Sequence, residues 1–132
     1  MLRRRRPPAD LRAPLEAFGM VVGHVERAAD ALTATIPTTR LPGRPLADAL
    51  LVFEEELRAA LDAMPGWRHP ALEEAWAGCH DALEEALTSA ERLRLEGGHP
   101  PGFEELVGAV SDLLAPLDAF QGAAERFRRL RA

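Results

Sequence analysis

The sequence predicts an all-α fold, an antiparallel up-down-up-down four-helix bundle whose fourth helix is kinked near Pro116. Three observations lead there. Apolar residues recur three and four positions apart in four separate stretches, a spacing that gathers them on one face of a helix. Proline and glycine clusters separate those stretches, and none of them alternates with the period of two that a half-buried strand requires. At 132 residues, with 47% apolar and 28% charged side chains, the chain can bury one hydrophobic core of its own.

The first stripe is Leu11, Leu15, Phe18, Val22, Val25, Ala29, Leu32 and Ile36. Asp10 is a candidate cap for this helix, while Pro14 suits a first turn, where its missing N–H costs little; Pro37 ends the segment. After the loop 38–44, Pro45 opens a second helix with the stripe Leu46, Leu50, Phe53, Leu57, Ala60 and Met64. Pro65-Gly66 breaks the chain, and Pro70 opens a third helix carrying Leu72, Trp76, Cys79, Leu83, Ala86, Ala90 and Leu93. Gly97-Gly98 closes it. The fourth stripe, after His99-Pro100-Pro101-Gly102, is Phe103, Leu106, Val110, Leu113, Leu117, Phe120, Ala124 and Phe127. Short connections between long amphipathic helices favour the up-down order. Residues 1–9 then form a basic, proline-containing N-terminal arm, and 10–132 the bundle domain. Pro116 removes one backbone donor inside the fourth stripe, at a cost of up to ~3 kcal/mol if uncompensated, and bends the helix there. The bend is either simply tolerated or opens a gap for a ligand beside Gly108 and Gly122.

Composition excludes several functional classes. No apolar run approaches the roughly 18 to 20 residues of a transmembrane helix, the longest comparable stretch being Leu50-Leu51-Val52-Phe53. Pro7, Pro8, Asp10 and Arg12 follow the Arg3–Arg6 run where the apolar core of a signal peptide would lie. Cys79 is the single cysteine, so an intramolecular disulfide is impossible, and a cytoplasmic location is expected. The ferritin-like arrangement of inward Glu and Glu-x-x-His is missing. The paired acids Glu54-Glu55, Glu73-Glu74, Glu84-Glu85 and Glu104-Glu105 fall beside or behind the stripes and read as solvated faces. His24, His69, His80 and His99 do not converge in the expected topology, and Cys79 lies in the core stripe as a small apolar residue. No nucleophile elbow and no phosphate-binding glycine loop is present. The expectation is therefore no catalytic residue, no metal and no cofactor.

Two surface features remain. Met20 and Val21 on the first helix, with Leu51 and Val52 on the second, lie off the stripes and form a candidate interface for self-association or a partner helix. The termini are basic: residues 1–12 sum to +4 and 126–132 to +4, against −13 between them and −5 for the whole chain. Arg3, Arg4, Arg5, Arg6, Arg126, Arg128, Arg129 and Arg131 thus make a candidate anion-contacting pole, although cations also suit the end of a helix. With no aromatic platform and no recognition helix beside it, the pole points to contact with an anionic surface rather than to nucleic-acid binding. The reading is a non-enzymatic interaction module that self-associates, as a homodimer for instance, or docks a protein partner; the alternative is a bundle that holds a small apolar molecule near the fourth-helix bend.

Overall fold

The computed structural model describes residues 9–97 and 102–130, and among these every regular element is helical and none is a strand. Four helical stretches pack together. They are α1 (Arg12–Thr33), α2 (Leu46–Ala63), α3 (Glu73–Leu95), and a fourth composed of α4 (Phe103–Leu114) and α5 (Ala119–Arg129). The segment Ala115–Asp118, a tighter 3-10 turn that contains Pro116, separates α4 from α5. Proline offers no N–H to continue an α-helical ladder, and a 3-10 turn is how the chain carries on past it. The N-terminal arm falls almost wholly outside the described residues.

Local chemistry explains the helix ends. Pro45 precedes the first residue of α2 and Pro70 opens the short 3-10 turn Pro70–Leu72 that leads into α3, both places where a missing N–H is harmless. His69 caps that turn, its Nδ1 accepting from the Ala71 N–H at 3.0 Å. Gly97 ends α3 with φ of 108°, the left-handed conformation that favours glycine after a helix. Asp10 does not cap α1; its carboxylate lies 2.9 Å from His69 Nε2 instead.

The core is continuous. From α2 it takes Leu46, Leu50, Phe53, Leu57 and Ala60, and Met64 follows in the turn, all of them inward positions of the expected stripe. Its centre is aromatic. Trp67, at the end of the 3-10 turn Met64–Trp67, is fully buried, and Phe18 meets it edge-on at 4.9 Å between ring centroids. Phe127 lies 4.8 Å from Phe18 and 5.9 Å from Trp67, so one cluster ties α1, the α2–α3 turn and α5 together. Edge-on and offset geometries suit the ring quadrupoles, and such pairs add to the free energy of burial. Gly66 lets this turn approach α1, since a Cβ there would stand 2.7 Å from the Ala17 Cβ.

Two expectations change at this level. On α1 the buried residues are Pro14, Phe18, Val21, Val25, Ala28 and Leu32, so Pro14, Val21 and Ala28 take the inward places assigned to Leu15, Val22 and Ala29. Both sets keep a three-four spacing, and an Ala- and Val-rich helix offers either. Glu54, expected on a solvated face, is wholly buried between α2 and α3. Arg94 clamps its carboxylate from α3, with Nε donating at 2.6 Å and Nη2 at 3.0 Å, and Arg58 adds a longer contact at 3.4 Å. Bidentate pairing is what permits a carboxylate to lie inside at all. Hydrogen bonding to Glu54 in turn holds the Arg94 guanidinium above its ordinary pKa.

Candidate functional site

The fourth helical stretch shows the largest mismatch between composition and burial. Seven of the twelve residues of α4 are apolar: Phe103, Leu106, Val107, Ala109, Val110, Leu113 and Leu114. Only Val110 and Leu113 are buried. Phe103, expected to point inward, is 58% exposed, and Val107 beside it is 37% exposed. At 100° per residue, Phe103, Val107 and Leu114 lie within one narrow strip, next to the strip that Val110 and Leu113 press into the core. The apolar arc of α4 is therefore wider than its contact with the bundle, and one edge of it faces solvent. The sequence spacing places Phe103 inward with Leu106, Val110 and Leu113 and gives Val107 and Leu114 no place; the width of the apolar arc was the available signal.

The surface expected on the first two helices loses one of its four residues to the core. Val21 is fully buried in the α1 stripe and cannot belong to a docking face. Met20, Leu51 and Val52 are exposed, yet they point to different places. Val52 lies on the flank of α2 that carries Glu56 toward α1, whereas Leu51, turned by ~100°, lies on the flank of Arg58 toward α3. Polar contacts occupy the seam between Met20 and Val52. His24 Nδ1 stands 2.7 Å from Glu56 Oε2, and Arg27 reaches both of them, at 3.0 Å to His24 and 3.4 Å to Glu56. The His24 hydrogen bond holds the Glu56 carboxyl below its ordinary pKa, against burial and with help from Arg27.

The basic pole is partly committed within the chain. Arg126 Nε donates to the Ala71 carbonyl at 3.2 Å, and Arg128 pairs with Glu125 at 2.6 Å. Arg129 lines a groove of about 740 Å³ between the start of α3 and α5. Its floor is made of small residues, Ala75 and Gly78 on α3 with Ala119 and Gly122 on α5, and Glu73, Glu74 and Arg126 stand at its sides. Gly122, expected beside a pocket at the bend, is in this groove, but Pro116 and Gly108 are not among its lining. Arg3 to Arg6 and Arg131 lie outside the described residues.

Each described histidine has its own carboxylate: His24 with Glu56, His69 with Asp10, and His80 with Glu84 at 2.9 Å. His80, Asp81 and Glu84 bring three donor atoms within 4.8 Å of one another on an open face of α3. The His80 ring stacks on Trp76 at 5.0 Å, and the Arg68 guanidinium covers the same indole at 4.4 Å. Trp76 donates its Nε1 proton to the Met64 carbonyl at 2.7 Å, which pins the α2–α3 turn onto α3. Cys79 is buried with Sγ 3.6 Å from the Ala119 carbonyl, and burial pushes its thiol up to about 12, far from a reactive thiolate. His99 lies outside the described residues, and among those described no helix is long and apolar enough to cross a membrane.

No family of known sequences, no curated protein and no solved structure matches this chain.

Proposed function

We propose that this chain is a non-enzymatic interaction module, a helical bundle that docks a protein partner or a second copy of itself. The exposed apolar edge of α4, Phe103 with Val107 and the half-buried Leu114, carries the proposal. Contiguous exposed apolar surface is uncommon unless something covers it, whereas scattered single residues such as Met20 need no explanation. The scaffold is an antiparallel up-down-up-down bundle in which α4 and α5 are two halves of one helix bent at Pro116. Cross-links between ends support that order: Arg94 with Glu54 and Arg58 with Glu91 between α2 and α3, and Cys79 with Ala119 and Ala71 with Arg126 between α3 and α5. A cytoplasmic setting and the lack of a catalytic centre belong to the same proposal.

The test compares the wild-type chain with a Phe103→Ser/Val107→Ser variant. Sedimentation over a wide concentration range and quantitative capture from the native cells are expected to show an oligomer or a partner that the variant loses. Two monomers with identical companions would sink the proposal. A second reading, a bundle that holds a small apolar molecule, draws on the α3–α5 groove just beyond the Pro116 turn. Native mass spectrometry separates the two, because a retained small molecule that a Gly122→Leu substitution expels would support the groove instead.

A further inference from the structure

The exposed edge of α4 borders α1, and the helix faces already assigned show it. On α1, His24 and Arg27 mark the flank toward α2, because they bond Glu56. The opposite flank, about half a turn away, carries Val22 and Ala29, both half-buried. On α5, Ala119 and Arg126 mark the flank toward α3. Followed back through Leu117 and Leu113 into α4, that flank continues through Ala109 and Leu106, which leaves Phe103, Val107 and Leu114 on the side toward α1. Phe18 bridges α1 to the far half of the fourth helix through Phe120 and Phe127, at 6.2 and 4.8 Å. Alongside α4 no aromatic pair repeats that bridge among the described residues. The result is an apolar cleft with Val22 and Ala29 on one wall and Phe103, Val107 and Leu114 on the other.

The charges beside this cleft have one sign. Glu26 stands outward of the α1 wall, and Glu104 stands outward beside Val107 on α4, which has no basic residue. Among the described residues neither acid is paired with a cation. We infer that the cleft between α1 and α4 receives an amphipathic helix of a partner protein, its apolar stripe seated on Phe103, Val107 and Leu114 and its flanks carrying arginine or lysine against Glu26 and Glu104. This inference rests on the docking proposal above and names the chemistry of the partner. A second copy fits poorly on two counts. Two α4 faces brought together would set like carboxylates against one another. The chain's own basic helix, α5, already spends its apolar face on the core through Phe120, Ala123 and Phe127. A helix laid in an apolar groove and held by anchors three and four residues apart is a recurrent mode of recognition.

The experiment uses two synthetic helical peptides of about five turns with the same leucine stripe, one flanked by arginine and lysine and the other by glutamate. Fluorescence anisotropy against the full chain is expected to show the basic-flanked peptide binding at least about tenfold tighter, an advantage that shrinks as salt rises. Phe103→Ser/Val107→Ser should abolish that binding with circular dichroism and melting unchanged, because both positions are exposed. Charge reversal at Glu26 and Glu104 should transfer the preference to the acidic-flanked peptide. Equal affinity for both peptides, or a preference that survives charge reversal, would overturn the basic-helix inference. So would basic-peptide binding that the serine variant retains, or a dimer that the serine variant dissolves. The last result would leave the broader docking proposal standing, whereas a chain that binds neither peptide and loses no companion on serine substitution would remove both.

Discussion

Helices α2 and α4 are both amphipathic, but they meet the bundle in opposite ways. In α2 the inward stripe is covered from end to end, and even a carboxylate beside it, Glu54, is enclosed and bonded. In α4 the apolar arc is as wide, yet only Val110 and Leu113 are enclosed and Phe103 stands open. Amphipathicity therefore tells which side of a helix avoids water; neighbours decide how much of that side is hidden. A stability gradient follows, with the α1–α2 half and the Trp67 cluster forming the rigid end and α4 the lightly held one.

The largest expected effect lies in the rigid half. Trp67→Ala should cost about 3–5 kcal/mol, the usual penalty for truncating a fully enclosed aromatic, measured as a lower urea midpoint. A loss below about 1 kcal/mol would mean that the aromatic cluster does not hold the bundle together. Next comes the enclosed ion pair. Arg94→Ala leaves Glu54 with only its 3.4 Å contact to Arg58 and should lower the midpoint more than Arg58→Ala does. A Glu54→Leu/Arg94→Leu double substitution should recover most of that loss, because two apolar groups leave no charge stranded.

In α4 the expected effects are smaller and depend on the strip. Val110→Ala should cost about 1–2 kcal/mol for the methyl groups withdrawn from the core, while Val107→Ser should stay within about 0.5 kcal/mol. If both cost the same, the exposed edge is not an edge. The smallest effect is on titration at the α1–α2 seam. With its folded pKa held down, Glu56 contributes stability that is fully present above its ordinary value and is lost as the pH falls through the lowered one. His24→Ala removes the largest cause, so the Glu56 midpoint, followed by carboxyl NMR, should rise toward the ordinary value. A midpoint that does not move would assign the shift to Arg27 instead.

Much of this architecture was legible in the residues. The four helical stretches, the breaks at Pro65 and Gly97, and the inward places of Leu50, Phe53, Leu57 and Leu83 follow from local spacing alone, whereas α1 stops at Thr33, short of Pro37. The parts that were not legible share a cause: each depends on a neighbour distant in the chain. Val21 competes with Val22, and Ala28 with Ala29, for one inward place, and only the packing of α2 and α5 against α1 chooses between them. Glu54 reads as one half of a surface acid pair because its partner Arg94 is forty positions away. Trp67 sits in a turn, where helical periodicity assigns nothing, although a large aromatic between two helices signals a lid over the core. Val21 dropped out of the candidate interface with Met20, Leu51 and Val52 for the same reason, and being off the stripe places a residue on either flank without gathering such residues together.

The lone thiol has a consequence of its own. Cys79 is shut away against the carbonyl of the residue at which α5 begins, just past the 3-10 turn, and no other sulfhydryl competes with it. Its rate of capture by a thiol reagent therefore times how often α3 and the fourth helix part at that joint. The molecule carries a built-in clock for the breathing of that joint, readable without attaching any label beforehand.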